Sequence, residues 1–412
     1  MSDYLLNFVN KGVSLVTGLL VSVILARFLG VHLRGELAFI TQTAAIGGIM
    51  LGFGVNQAFI FYFRQSRSYA TFRDTVGLLL WQMGALAVLA TVATWIVNDP
   101  TFGYIAALAV SLAFYQQLEG VMTAYNIRLK IRVNMAYAVT RLAAYLVMWP
   151  LASEGLWWPV AISVATCLLA VVLYLCFAVE GPPGRPTYDF AKSAYAFGWL
   201  PMLTTLLVVL NYSVDIVMIK AFGTSEGLGL YAVAAGIVTY LWVGPDAIKE
   251  VLVSRVVRTN DPRAVLRPLR AALIVGWISV LAVATLGAPL IPLLFGGEYA
   301  GAYVLVLILS LGVVAMTYYK ILGVAVLAEG KRVFYFAALA TAVALNLLLN
   351  WWVIPVYGAV GASWVSVVTY SITGALFTAY FSRVFHIPLR ELMVIGRRED
   401  IVALGQVLRR RA

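Results

Sequence analysis

Residues 26–38 read Ala26-Arg27-Phe28-Leu29-Gly30-Val31-His32-Leu33-Arg34-Gly35-Glu36-Leu37-Ala38, closing one long apolar run and opening another. The run before it covers 4–29 and the run after it covers 36–63. Each exceeds the ~20 residues that a helix rising 1.5 Å per residue needs to cross a hydrocarbon layer. A short, charged, glycine-bearing turn between two such runs is how a chain leaves a bilayer and re-enters it.

The same ruler gives twelve runs in all, the others being 75–98, 101–125, 134–153, 156–178, 191–221, 227–253, 268–295, 300–327, 332–354 and 358–382. The eighth is interrupted by Gly236, Gly244, Pro245, Asp246, Lys249 and Glu250. Composition agrees: of 412 residues, 62% are hydrophobic and 11% charged, against about 25% charged in soluble chains. That excludes a soluble enzyme, a nucleic-acid reader and a disordered chain, and predicts an all-α polytopic membrane protein. The first run is too long for a signal-peptide core and has no basic residue before Lys11, so it reads as a span. Cys167 and Cys176 lie nine residues apart in one run, too far along a helix for a disulfide.

The charge pattern sets the topology. Of 29 Lys and Arg, 23 fall on one side of the alternating runs, including Arg64, Arg67 and Arg73, the cluster from Lys249 to Arg270, and the tail from Arg383 to Arg411. Three fall on the other side (Arg27, Arg34, Lys220) and three within runs (Lys11, Arg141, Lys320). This asymmetry predicts both termini in the cytoplasm and an even number of spans. The net charge of +11 is therefore topology rather than a nucleic-acid footprint.

The opening stretch has an echo. Arg27-Phe28-Leu29-Gly30 followed by Gly35-Glu36-Leu37-Ala38 is matched by Lys220-Ala221-Phe222-Gly223 followed by Gly229-Leu230-Tyr231-Ala232. The sequence thus predicts two six-helix lobes, 1–180 and 191–382, related by a pseudo-twofold axis along the membrane normal. A Pro/Gly-rich linker at 181–190 joins them, and a basic, amphipathic cytoplasmic tail at 383–412 follows, suited to anionic lipid.

Ionisable residues within spans are costly and usually face a cavity. They are Lys11, Glu119, Arg141, Asp215, Asp246 and Lys320, with Arg27 and Lys220 at the outer span ends. A cavity lined by these helices would be polar and net positive, suited to an anion such as phosphate. Each has a plainer reading. Arg27 and Lys220 suit snorkelling to the interface, Glu119 suits a buried pair with Arg141, and Asp246 suits a kink after Pro245. Aromatic residues near span ends, such as Trp95 and Trp351, fit an interface belt. No catalytic carboxylate pair, nucleophile motif or metal cluster stands out, so the sequence predicts no enzyme and no metal.

Ala26-Arg27-Phe28-Leu29-Gly30, Arg34-Gly35-Glu36-Leu37-Ala38 and Leu51-Gly52-Phe53-Gly54-Val55-Asn56-Gln57-Ala58 resemble the opening of polysaccharide-transport flippases. These include the Wzx-type O-antigen flippases of the multidrug/oligosaccharidyl-lipid/polysaccharide exporter (MOP) superfamily. The resemblance implies lobes that alternate between inward- and outward-open states. It implies a polyprenyl-diphosphate-linked oligosaccharide as substrate, for O-antigen, lipopolysaccharide or exopolysaccharide, in a bacterial or archaeal cytoplasmic membrane. It implies no cofactor, coupling to a proton or sodium gradient, membrane lipids and other polysaccharide-assembly proteins as neighbours, and no nucleic acid. On it, Arg27 matches the family's basic residue, and Lys11, Arg141, Lys220 and Lys320 join it as cations for the diphosphate. Asp215, Glu119 and Asp246 become coupling or structural acids. Lipid II flippases of the superfamily have two further C-terminal helices, which argues against a peptidoglycan precursor here. A multidrug exporter of the same superfamily and a membrane glycosyl-polymerase or ligase of the same pathway are the alternatives. The first calls for a cavity of acids and aromatics, the second for a large external loop.

Overall fold

The computed structural model describes residues 3–66, 68–149, 155–179, 181–259 and 262–394. Among them it is all-helical: α1 (Asp3–Gly52), α2 (Val55–Ser66), α3 (Tyr69–Val97), α4 (Pro100–Tyr125), α5 (Ile127–Met148), α6 (Trp157–Ala178), α7 (Tyr188–Phe222), α8 (Ser225–Leu241), α9 (Val243–Thr259), α10 (Leu266–Phe295), α11 (Ala302–Ala328), α12 (Arg332–Phe385) and α13 (Leu389–Met393). Inside hydrocarbon a helix is the form that satisfies every backbone N–H and C=O within one segment, and runs this apolar have no other stable option.

Nine helical stretches among the described residues are long and apolar enough to cross a membrane. Two of these are double lengths, Val9–Gly52 with 44 residues and Arg332–Phe385 with 54. A straight 54-residue helix would reach about 80 Å, far beyond a ~30 Å core. Each is broken by one glycine, Gly30 (φ 68°, ψ 173°) in α1 and Gly358 (φ 56°, ψ −141°) in α12. These backbone angles belong essentially to glycine. Splitting both helices and adding α5, whose Arg128, Lys130, Arg132 and Arg141 keep it out of the nine, gives the twelve segments that the sequence predicts.

The structure corrects several details. The expected outer turn at 30–35 contracts to the break at Gly30, and Arg34 and Glu36 are helical. The expected second span, 36–63, is divided, because Phe53 and Gly54 take φ values of 48° and 67° and α2 begins afresh at Val55. The eighth run is two helices meeting at Trp242. Of the expected amphipathic tail, the residues from 395 onward lie outside the described residues.

The chain divides into two compact units, 1–210 and 211–412, with the division inside α7. In the first, the core joins Phe59, Phe72, Leu118, Met122 and Tyr174 from α2, α3, α4 and α6, and a second cluster centres on Ile40, Tyr145 and Trp158. Side-chain caps start its helices: Asp99 Oδ1 accepts from the Thr101 N–H at 3.0 Å, and Asn126 Oδ1 from the Leu129 N–H at 3.0 Å. In the second unit α11 is central. It is 72% buried over its most apolar window, against 28–44% for the other candidate spans.

A Cβ on Gly358 would meet no atom within 4 Å, so Gly358→Ala isolates the backbone requirement. We expect a loss of about 1–3 kcal/mol, read as a lower unfolding midpoint in detergent. Gly12→Ala, in an equally open but ordinary helical position, should leave the midpoint unchanged or raise it. An unchanged midpoint for Gly358→Ala would refute the reading of α12 as two segments held by that angle.

Candidate functional site

Two charged clusters lie in the second unit. Asp215 of α7 is 1% exposed. Its carboxylate accepts hydrogen bonds from Tyr231 OH of α8 at 2.7 Å, Ser366 Oγ of α12 at 2.6 Å and Asn350 Nδ2 of α12 at 2.7 Å. Asn350 Nδ2 also donates to Asn346 Oδ1, one turn earlier, at 2.8 Å. Every partner is neutral. Burying an ionised carboxylate without a counter-charge costs several kcal/mol, which neutral hydrogen bonds offset only in part. Buried amide atoms without a hydrogen-bond partner lie on the same helices: Asn350 Oδ1 on α12 and both polar side-chain atoms of Asn211, one turn before Asp215 on α7. The carboxylate and the two hydroxyl oxygens against it are hard oxygen donors of the kind a small cation takes, and a proton would serve the same carboxylate.

The second cluster surrounds Lys320 of α11. Its ammonium donates to both Asp246 carboxylate oxygens at 2.9 Å and sits 4.0 Å from the centroid of the Trp242 ring and 5.6 Å from that of Tyr212. Asp246 is in the first turn of α9, and Trp242 is the junction between α8 and α9. The buried lysine is thus neutralised by an acid and capped by an aromatic face.

The first unit carries a polar network among α4, α5 and α6. Asn134 Nδ2 donates to Glu119 Oε1 at 2.8 Å, and Asn134 Oδ1 accepts from Tyr115 OH at 3.1 Å and Tyr174 OH at 2.8 Å. Glu119 pairs with Lys130 at 3.4 Å. This corrects the expected Glu119–Arg141 pair: α5 begins at Ile127, which puts Lys130 and Asn134 on the turns facing Glu119 and carries Arg141 two turns beyond Asn134. Arg141 instead lies 5.9 Å from the centroid of the Tyr145 ring, and its buried Nε has no hydrogen-bond partner. Lys11 is half-buried in α1, while Arg27, before the Gly30 break, and Lys220, at the end of α7, are exposed. A cavity of about 530 Å³ lined by Tyr62, Gln65, Thr71, Asp189, Phe190 and Ser193 contains none of the residues that the sequence singles out.

A family model for polysaccharide biosynthesis proteins matches residues 24–304. The chain belongs to this polysaccharide biosynthesis family. No curated protein matches it. Among solved structures it resembles the lipid II flippase MurJ in an inward closed conformation, with a TM-score of 0.73 at 13% identity over 98% of this chain and 92% of that one. It also resembles an inward-facing multidrug resistance MATE transporter of the MOP superfamily, with a TM-score of 0.60 at 13% identity over 93% of this chain and 96% of that one. The MATE multidrug transporter DinF-BH gives 0.60 at 12% identity over 92% and 94%. The family member described here therefore has the all-helical fold of MOP-superfamily transporters.

Asn134 is the hub of the first-unit network, so Asn134→Ala strands Glu119, Tyr115 and Tyr174 together. It should cost about 1–3 kcal/mol. Lys130→Met, at a pair with side chains 24% and 28% exposed, should cost less than about 1 kcal/mol. Chemical unfolding in detergent compares the two, and equal losses would refute Asn134 as the hub.

Proposed function

We propose that this protein is a flippase that moves a polyprenyl-diphosphate-linked oligosaccharide across the cytoplasmic membrane for surface polysaccharide assembly, exposing its binding groups alternately to the two sides. The observation that carries the reading is a conjunction: the chain belongs to a polysaccharide biosynthesis family and has a transporter fold. A polysaccharide protein built as a transporter has lipid-linked glycan as its natural cargo, because the sugar is too polar to cross hydrocarbon unaided. Both termini face the cytoplasm on this reading, following the 23 basic residues on one side. Lys11, Arg27, Arg141 and Lys220 provide cations for the diphosphate, with Lys320 treated below.

Asp215 is the coupling acid. Support comes from its burial, its all-neutral partners and the unpartnered amides around it. A monovalent cation, proton or sodium, entering this cage supplies the counter-charge that the carboxylate's neutral partners do not. Its free energy moving down the gradient then drives the cycle.

Restoration of surface polysaccharide in a flippase-deficient strain tests the reading, and failure to restore it with any lipid-linked glycan would overturn it. Asp215→Asn keeps the size and most hydrogen bonds but removes the charge. We expect it to insert and fold, bind substrate, and lose gradient-driven transport by a factor of about 100 or more. Gradient-dependent transport at the normal rate in that variant would exclude Asp215 from coupling.

A further inference from the structure

The Lys320–Asp246 pair is asymmetric in a way that a purely structural ion pair has no need to be. Lys320 is fixed on α11, the most buried helix of its unit, with its side chain 8% exposed, whereas the Asp246 side chain is 43% exposed. The acid stands on the first turn of a helix that starts at a break, its N–H bonded to the Trp242 carbonyl at 2.9 Å. One side of the pair is therefore anchored, and the other is open and at a joint. The Asp246 oxygens occupy two of the three donor directions of the ammonium, and the Trp242 ring covers another side. Lys249, one turn beyond Asp246 on α9, acts electrostatically on Lys320 with like sign. Asp246 and Lys249, three residues apart on α9, thus both act on one ammonium.

The geometry points to a masked anion site: Lys320 and Lys249 bind a phosphate-bearing headgroup, and Asp246 holds the place of the phosphate oxygens until it arrives. Binding is an exchange. The two N–H···O bonds from Lys320 to Asp246 break, equivalent bonds to phosphate oxygens form, and no proton changes hands. Asp246 turns outward, its side chain already 43% exposed, and Trp242 and Tyr212 stay over the ammonium. A diphosphate matches two lysines better than one carboxylate does, because it carries more charge and more acceptor oxygens. The identity of the ligand as a lipid diphosphate rests on the flippase reading, but the anion site does not.

The test uses the full chain purified in detergent, with equilibrium binding of inorganic pyrophosphate and, separately, farnesyl diphosphate. Asp246→Asn removes the competing charge while keeping the shape, and should tighten both ligands by about tenfold. Lys320→Met introduced into that variant should abolish the gain. The exchange of both residues, Lys320→Asp with Asp246→Lys, should retain the unfolding midpoint and lose binding. No gain in a folded Asp246→Asn variant, or normal binding by the exchanged pair, would overturn the site. If Asp246→Asn does not fold, the comparison of wild type with the exchanged pair decides alone: the site requires pyrophosphate bound by the first and not by the second. A gain with pyrophosphate and none with farnesyl diphosphate would overturn the lipid diphosphate as ligand. Failure of genetic complementation alongside a positive binding result would strike the flippase reading and leave the anion site standing.

Discussion

Everything in this protein follows from a solvent that offers no hydrogen bonds. With no water to satisfy stray N–H and C=O groups, helix is the form a segment takes in hydrocarbon, and among the described residues a few positions interrupt the long helical runs. Gly30 and Gly358 break double-length helices, Phe53 and Gly54 part α1 from α2, and Trp242 parts α8 from α9. The last of these adjoins a charge cluster: Trp242 lies against Lys320, and Asp246 follows it by one turn. A helix break is where a side chain gains freedom to move, and the protein places a charged group there.

The same constraint governs the charges. A charge within a span survives only by finding a partner or lining a wet path. Glu119 finds Asn134 and Lys130, and Lys320 finds Asp246. Asp215 finds hydroxyls and amides only. That difference sets Asp215 apart from Glu119 and Lys320: its hydrogen-bond partners carry no counter-charge.

Much of the fold is legible in the sequence, because a bilayer converts length and hydropathy directly into segments. Twelve runs and a 23-to-3 distribution of basic residues need no tertiary information. Partnerships are less legible. Sequence alone points Glu119 towards Arg141, yet the start of α5 at Ile127 moves Lys130 and Asn134 onto its face, and helix boundaries are where sequence reading is weakest. Asp215 and Lys320 stand out as charges, while the groups that define their sites do not. Asn346 and Asn350 carry a signal in hindsight: two amides one turn apart in the apolar run Leu345–Trp352, sharing one helix face. Ser366, Tyr231 and Trp242 carry none, because a serine, a tyrosine and a tryptophan in membrane helices are ordinary. Only the packing of α7, α8 and α12 makes the first two partners of one carboxylate.

The two clusters of the second unit place opposite charges in the same helix bundle without letting them neutralise each other. Lys320's aromatic neighbours, Trp242 and Tyr212, both contact Tyr370, with ring centroids 6.3 Å and 6.1 Å away. Tyr370 in turn donates to the Asn211 carbonyl at 3.1 Å and lies within electrostatic reach of Asp215. Three rings thus connect the surroundings of the acid to those of the lysine. Had Lys320 and Asp215 met directly, each would have neutralised the other. Held apart, the carboxylate keeps all-neutral partners, and the ammonium keeps a carboxylate whose side chain is 43% exposed. Tyr212 lies one turn from Asp215 on α7, and Tyr370 one turn from Ser366 on α12. On the proposed coupling, a shift of α7 or α12 as a cation binds at Asp215 moves a ring that packs against Trp242, at the joint before Asp246.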